Sequence, residues 1–337
     1  MSDTVSLNHG SGGRLSHELI DNLFVKYFSN SVLNAQTDSA IVGLDSGHVA
    51  FTTDSYVVDP VFFPGGNIGK LSVCGTINDL SVSGAVPAYL SAGFIIEEGF
   101  SIHKLEQIVC SMAEEAEKAG VKIVTGDTKV VNKGKADKIY INTAGIGTID
   151  AARKEISFGT QIRLGDKIIV NGDLGRHEIA IMTAREKLGI ETSIESDCAS
   201  LNSLTESVLS AHGGIHFMRD LTRGGLAGVL NEVVAIGEFG ITLNEEMIPA
   251  NDKIRSICEL LGLDALFMAN EGRIMFITDS EEADKIMKTM KNHPLGKNCA
   301  VIGEITDLHE GTVLMETEIG GRRIIDMPAG QQLPRIC

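Results

Sequence analysis

Four aspartates in the first half of the chain have positions that suit a divalent metal site. Asp38, Asp54, Asp79 and Asp127 each lie beside glycine or at the apparent end of a strand. Carboxylates at a strand end project into a cleft, where a few of them, with waters and substrate phosphates, satisfy octahedral Mg²⁺. Any one alone is more often a helix cap or turn residue. Together, they favour a magnesium–phosphate site.

Two glycine-rich stretches could supply anion-binding N–H groups. The first, residues 9–14, contains Gly10, Ser11, Gly12 and Gly13 and precedes a helical pattern. The second, residues 63–70, ends in Lys70 at the start of another helical pattern. Backbone N–H groups at such helix starts bind phosphates. Neither stretch matches GxxxxGK[ST] or a GxGxxG that follows a strand, so each alone is also compatible with a flexible turn.

The second half offers fewer groups for chemistry. Residues 219–226 combine the carboxylate of Asp220 with Arg223 and a glycine pair before a helix, a set suited to phosphate or metal. Glu271 precedes a predicted strand. His9 could touch a ligand from its loop, whereas His177, His212, His216 and His293 lack metal-ligand spacing and are interpreted as structural or surface residues.

The last residue of the chain is a cysteine, Cys337, which follows Pro334, Arg335 and Ile336. A terminal thiol sits on the most mobile part of a chain and could reach a pocket or a partner. The tail alone favours the simpler reading, a frayed end with an incidental free cysteine.

Composition restricts the class of protein. With 337 residues and 43% hydrophobic residues, the chain can form two globular domains. The net charge of −16 argues against a nucleic-acid-binding surface. The six cysteines form no CxxC pair, which is typical of reduced thiols in a cytoplasm. We expect neither a secretory signal nor a membrane span, hence a cytoplasmic protein.

The elements that must position these residues do not alternate strictly, which predicts an α+β fold. We expect domains at 1–155 and 156–325, joined by a linker at 150–164, and a flexible tail at 326–337. The predicted helices are 68–83, 105–119 with Gly120 as C-cap, 178–188, 226–236, 254–261 and 283–291. The predicted strands are 49–53, 89–96, 121–124, 139–146, 167–171, 273–277, 300–305 and 312–315.

Taken in order, these segments resemble the ATP-binding superfamily of aminoimidazole ribonucleotide synthetase, selenophosphate synthetase and thiamine-monophosphate kinase. The resemblance is closest to the carbamoyl dehydratases of NiFe-hydrogenase maturation. It rests on residues 9–13, 52–60, 62–71, 74–80, 126–131, 220–225 and the ending Pro334-Arg335-Ile336-Cys337. Ser39 is a departure, since relatives often carry a second acidic residue there, and this weakens Asp38 as a metal ligand.

The resemblance implies a PurM-like architecture, with an N-terminal ATP-binding domain, a C-terminal α/β sandwich-type domain and a mobile tail. It also implies ATP and Mg²⁺ as cofactors, and a homodimer formed through the N-terminal sheets. A carbamoyltransferase, HypF, would load Cys337, and cyanide would pass to iron on a HypC–HypD complex.

The implied reaction is the ATP-dependent dehydration of a thiocarbamate on Cys337 to a thiocyanate. Lys129 or Glu271 is the candidate base. The implied metal ligands are Asp38, Asp54, Asp79 and Asp127, and the implied nucleotide or tail contacts are Gly10, Ser11, Gly12, Gly13, Asn67, Lys70, Asn78, Asp220 and Arg223.

Two alternatives remain at this stage. Another enzyme of the superfamily would act on a free small molecule, although residues 7–14 lack the cysteine that selenophosphate synthetases carry there. A scaffold protein would use the tail only to dock a partner.

Overall fold

A computed structural model describes residues 13–19, 21–22, 34, 36–38, 40–44, 47–185, 192–330, 333 and 335–337. Two mixed sheets with flanking helices form the fold, as the α+β prediction requires. The helices are α1 (Arg14–Leu19), α2 (Ile68–Val82), α3 (Ile102–Ala119), α4 (Arg176–Ala184), α5 (Asn202–Ala211), α6 (Gly225–Val234), α7 (Asp252–Leu261) and α8 (Ala283–Lys291). None in the described part is long and apolar enough to cross a membrane.

The N-terminal sheet has five strands in the order β1-β2-β7-β5-β6, all antiparallel except the β5–β6 pair. Its strands are β1 (Ala40–Leu44), β2 (Gly47–Tyr56), β5 (Ala85–Glu97), β6 (Lys122–Val131) and β7 (Ile139–Ile149). A short hairpin, β3 (Phe62–Phe63) and β4 (Gly66–Asn67), leads into α2.

Helix α2 is buried against the inner face of this sheet, as its small-residue pattern predicts. Asn67 caps its start, because its side-chain oxygen accepts from the N–H groups of Gly69 and Lys70. Gly69 permits close approach of α3, since a Cβ there would lie 2.3 Å from the carbonyl oxygen of Ile108. Helix α3 ends at the predicted cap Gly120, whose φ of 71° is left-handed.

The outer face of the N-terminal sheet carries large exposed apolar side chains. Phe51, Tyr89, Ile95 and Ile146 are 43–50% exposed. Patches of this kind mark interaction surfaces more often than free surfaces.

The C-terminal sheet has seven strands in the order β14-β13-β10-β12-β8-β11-β9. Its strands are β8 (Lys167–Val170), β9 (Ile215–Asp220), β10 (Gly240–Asn244), β11 (Ile274–Thr278), β12 (Ala300–Thr306), β13 (Val313–Glu316) and β14 (Arg322–Ile324). Alternate residues of its strands face opposite ways, so Ile168 packs in the cluster that contains α6, and Ile169 in the cluster of α5 and α8. The sheet is covered on both faces.

Most predicted elements are present, with ends that differ by a few residues. Helix α5 and six strands were not predicted: β1, β3, β4, β9, β10 and β14. The predicted linker contains a short 3₁₀ turn, Ile156–Phe158. The predicted domain limits stay a prediction.

Candidate active site

The C-terminal tail lies inward. Leu333, Ile336 and Cys337 pack against the core of the N-terminal half, where Ile336 is only 3% exposed. A terminal carboxylate oxygen of Cys337 accepts from the Val57 N–H at 3.1 Å, and the Asp59 N–H donates to the Arg335 carbonyl at 3.2 Å. The tail therefore pairs with residues 57–59, which directly follow β2, and its thiol lies inside the protein.

The thiol of Cys337 lies among charged groups. The pKa of this thiol is raised to about 12, chiefly by burial and to a smaller extent by the neighbouring carboxylates of Glu271 and Asp54. The guanidinium of Arg223 opposes this rise, because it is close by and hydrogen-bonds the sulfur. The resting docked tail therefore presents a neutral thiol, not a thiolate.

The turn between β9 and α6 positions Arg223. Gly224 and Gly225 both have left-handed φ values, 80° and 60°. A Cβ at Gly225 would lie 2.5 Å from the carbonyl oxygen of Met268. Only glycine fits this close approach, so the predicted glycine pair is what lets Arg223 turn inward toward the tail.

Four carboxylates meet next to this thiol site. Asp54 comes from β2, Asp79 from α2, Asp220 from the end of β9, and Asp38 precedes β1. Burial, then the charges of Asp220, Asp54 and Asp38, holds the pKa of Asp79 well above its usual range. Burial, then Asp38, raises the pKa of Asp220 to about 8. The structure thus joins three predicted metal ligands to Asp220.

Among the described residues, Arg219 and Arg223 offset part of the negative charge of these four carboxylates. Arg219 partly neutralises it, since its Nη1 lies 2.6 Å from Asp38 Oδ1. Asp38 Oδ2 is buried with no hydrogen-bond partner among the described residues. The Thr52 hydroxyl donates to Asp79 Oδ2 at 2.9 Å.

In the single chain, these carboxylates do not by themselves form a metal site. The described residues include no group of three or more His, Cys, Asp or Glu side chains that could hold a metal ion. Mg²⁺ needs no such cage, because it retains waters and binds substrate phosphates. The unpartnered oxygen of Asp38 and the mutual repulsion of the carboxylates are the features that a bound Mg²⁺ would relieve.

Glu271 is the acid–base candidate that the single chain places near the thiol. It is 3% exposed, and its Oε1 has no hydrogen-bond partner in the part of the chain that the structure describes. Burial, then the neighbouring Cys198 and Asp220, holds its pKa well above its usual range. Its own N–H donates to Asp197 Oδ1, which fixes the backbone at the start of β11.

Asp127 and Lys129 lie elsewhere on the single chain. Strand register aligns Asp54 with Thr143 and Gly126, so that Asp127 faces the opposite side of the sheet. The Lys129 Nζ lies 2.8 Å from Asp127, and both side chains are more than two-thirds exposed. Their roles as metal ligand and base stay predictions.

The residues predicted to contact the nucleotide lie in different parts of the chain. Gly10, Ser11 and Gly12 lie outside the described residues, whereas Gly13 packs on the Pro328 carbonyl. The Arg14 N–H donates to the same oxygen at 3.0 Å. A cavity of about 310 Å³ opens beside this contact and is lined by Arg223 and residues 326–330.

The remaining predicted contacts are engaged within the chain. Lys70 donates to the Gly65 carbonyl, and Asn67 caps α2. Asn78 accepts from the Leu201 N–H at 2.8 Å and donates to the Ala199 carbonyl at 3.1 Å, which joins the two halves of the chain. Contacts of these residues to a nucleotide stay predictions.

Sequence reasoning missed two residues of the site. Tyr56 is buried, and burial, then the charges of Asp54 and Asp79, raise the pKa of its hydroxyl. Gly75, a glycine inside α2, was a signal for it, since a Cβ there would lie 2.3 Å from that hydroxyl. His177, interpreted as a structural or surface histidine, is fully buried and contacts the tail at Ile336. No local pattern reveals a partner 159 residues away.

Comparisons with known proteins identify the family of the chain. The family model of the AIR synthase related protein N-terminal domain matches residues 36–149, and that of the C-terminal domain matches residues 163–316. Carbamoyl dehydratase HypE of Rhodobacter capsulatus is 46% identical over 337 residues, 99% of this chain and 98% of that protein.

Solved structures give the same result. A HypE–HypF complex contains a chain of 45% identity that aligns with a TM-score of 0.86 and covers 92% of this chain and 99% of that one. A hydrogenase maturation protein HypE in complex with ATP aligns with a TM-score of 0.82 at 44% identity and covers 99% of this chain and 100% of that one. The chain therefore belongs to the AIR synthase related family and, within it, to the HypE carbamoyl dehydratases.

Proposed function

We propose that this protein is an ATP-dependent carbamoyl dehydratase that acts on its own C-terminal cysteine. A carbamoyl group carried on Cys337 loses the elements of water and becomes a thiocyanate, which supplies the cyanide ligand of hydrogenase iron. The observation that carries the proposal is the inward tail, whose thiol meets Arg223 beside Glu271 and the carboxylate cluster. A disordered chain end with an incidental thiol would not be expected to place that thiol in such a site.

The balanced reaction converts Cys337–S–C(O)NH₂ and ATP into Cys337–S–C≡N, ADP and phosphate, with release of one proton. The carbamoyl oxygen bonds to the γ-phosphorus as the bridging oxygen to ADP leaves. The carbon–oxygen bond then breaks, the oxygen departs in phosphate, and both nitrogen protons are removed. Phosphorylation is needed because oxide or hydroxide is a poor leaving group.

The residues of this chain supply position, charge and a proton acceptor. Arg223, which is buried beside the sulfur, would neutralise negative charge on the phosphorylated oxygen. Glu271 is the base that we favour for the nitrogen protons, because it is buried near the Cys337 thiol and its Oε1 has no hydrogen-bond partner within the described residues.

Mg²⁺ would be held by Asp38, Asp54, Asp79 and Asp220, where it would supply charge neutralisation to the phosphates. The glycine stretch at 9–13 and Lys70 remain our candidates for phosphate contacts. For ATP itself, support comes from the similar HypE that was solved with ATP.

We also propose the partners of the reaction. A HypF carbamoyltransferase loads Cys337, which is supported by the similar chain solved with HypF. A HypC–HypD complex receives the cyanide in the cytoplasm. The exposed apolar outer face of the N-terminal sheet suits a homodimer, in which Asp127 and Lys129 would lie at or near the interface.

Mass spectrometry of the terminal peptide tests the function. With HypF, carbamoyl phosphate and ATP, Cys337 should gain about 43 Da as the carbamoyl form and then about 25 Da relative to the free thiol as the cyano form. Cys110→Ala removes an exposed thiol on α3 and should behave as the wild type. Full ATP turnover by Cys337→Ala would refute the proposal and favour a free small-molecule substrate.

A further inference from the structure

The last residues of the tail are held from two sides. On one side, the backbone at 57–59 pairs with Arg335 and Cys337, and Arg335 Nε donates to the Val57 carbonyl at 2.8 Å. On the other side, two side chains from α4 and its C-terminal end bind consecutive tail carbonyls. His177 Nε2 lies 2.8 Å from the Ile336 oxygen, and Arg185 Nη2 donates to the Arg335 oxygen at 2.8 Å.

The hydrogen-bond partners of His177 fix its tautomer. A carbonyl oxygen can only accept, so Nε2 must carry the proton that points to Ile336. Nδ1 then accepts from the Ser196 hydroxyl at 2.8 Å, and Ser196 Oγ in turn accepts from the Cys198 N–H at 3.0 Å. The ring also packs edge-on against Phe63, with centroids 5.5 Å apart. Contacts on the opposite edge from the tail thus orient the imidazole and aim its proton at the tail.

The bond to Ile336 acts on the reacting residue through the peptide plane. The carbonyl of Ile336 and the nitrogen and Cα of Cys337 belong to one rigid unit. The Val57 N–H holds the other side of Cys337 through its terminal carboxylate. With both sides of Cα fixed, the sulfur position depends mainly on one side-chain torsion, which places it against Arg223.

We propose that His177 is a positioning residue for the dehydration step, which it serves by holding the Ile336 carbonyl and thereby the sulfur of Cys337. The inference rests on the proposed function. Loss of this contact releases the tail to solvent more often and loosens the sulfur within the site when the tail is docked. Displacements of about 1 Å can slow an enzymatic step by about 100-fold.

Two measurements on the full-length protein separate docking from chemistry. The first is the rate at which iodoacetamide alkylates Cys337, read on the terminal peptide with exposed Cys110 as the internal standard. The second is a single-turnover experiment with protein already carbamoylated on Cys337, in which ATP starts the loss of about 18 Da, the mass of water.

The variants differ in what they keep of His177. His177→Phe keeps the ring and loses both hydrogen bonds, so we expect alkylation about tenfold faster, equivalent to about 1.4 kcal/mol, and dehydration about 100-fold slower. His177→Gln keeps an N–H donor at similar reach and should restore both rates to within about threefold of wild type. Ser196→Ala leaves the ring but removes the partner of Nδ1, so both rates should shift in the same direction as in His177→Phe, by less.

Thr183→Ala is the control on the same helix, because the Thr183 hydroxyl bonds carbonyls of its own helix and not the tail. It should leave both rates unchanged. Wild-type rates in folded His177→Phe would overturn the proposal, and so would wild-type rates in Ser196→Ala if His177→Phe fails to fold. If carbamoylated wild type loses no water with ATP, the proposed function fails, while the alkylation rates still test the docking contact.

Discussion

Gly75 and Tyr56 provide a sharp test of how packing shapes the site. Gly75 lies inside α2, and an added Cβ would stand 2.3 Å from the Tyr56 hydroxyl oxygen. That hydroxyl lies near Asp54 and Asp79. Gly75→Ala should therefore disturb both the stability of the N-terminal half and the geometry of the carboxylate cluster.

The magnitude follows from two opposing effects. Alanine stabilises a helix interior relative to glycine by about 0.5–1 kcal/mol. Forcing a methyl group into a filled space costs about 1–3 kcal/mol. The crowding prevails at a separation of 2.3 Å, so we expect Gly75→Ala to lower the free energy of unfolding by about 0.5–2 kcal/mol.

A matched glycine supplies the control. Gly228 also lies inside a helix, α6, but the nearest atom to its built Cβ, the Arg223 carbonyl oxygen, is 3.7 Å away. Gly228→Ala should therefore show only the helix effect and raise stability by about 0.5–1 kcal/mol.

A double-mutant cycle tests this contact: the free energy of unfolding in urea is measured for Gly75→Ala, Tyr56→Phe and the double variant. Tyr56→Phe removes the clashing oxygen, although the next ring atom is still 3.1 Å from the built Cβ. In the Tyr56→Phe background, Gly75→Ala should therefore lower the free energy of unfolding by about 1–2 kcal/mol less than it does in the wild type. Single-turnover dehydration should fall by up to about 100-fold in Gly75→Ala. Stabilisation by Gly75→Ala equal to that of Gly228→Ala, or additive single effects, would refute the reasoning.

Three further predictions concern charge, catalysis and assembly. The pKa of Asp220 is raised to about 8, so the metal-free folded state keeps a proton that the unfolded state loses from about pH 4 upward. Stability should therefore fall as the pH rises toward 8, and Asp220→Asn should flatten that dependence in urea unfolding at pH 5 and pH 9; an unchanged slope would contradict the assignment. Glu271→Gln should slow dehydration by about 100-fold or more, whereas wild-type turnover would exclude Glu271 as the base. Tyr89→Glu on the outer sheet face should convert a dimer to a monomer in light scattering, while Ile319→Glu, at a site that is 95% exposed, should not; a monomeric wild type would disprove the assembly.

Patterns along the chain were sufficient for much of the fold. Helix α2 was predicted from its small apolar residues, and α3 from an amphipathic face that ends at Gly120, because both signals are local. Strand β9 was missed. Four of its six residues are buried in an unbroken run at its start, which gives no alternation from which to recognise a strand.

The site shows the same division between local and distant information. The sequence by itself determined the kinds of groups available: several carboxylates, a glycine pair after Asp220 and Arg223, and a terminal thiol. The expected positions at strand ends were wrong for Asp54, which lies within β2, and for Asp79, which lies within α2. The sequence also determined the family, because these motifs occur in a fixed order. The residue types and the order of the motifs are properties of the sequence itself, so they could be predicted without the structure.

Only the tertiary structure decided which of these groups meet. Asp220 joins Asp38, Asp54 and Asp79, whereas Asp127 points to the other face, since one step along a strand reverses a side chain. Strand β6 is exposed along nearly its whole length in the single chain, so its residue pattern gives no face to predict. The inward position of Cys337 likewise depends on Val57 and His177, which are distant in sequence and become neighbours only when the two halves of the chain pack together.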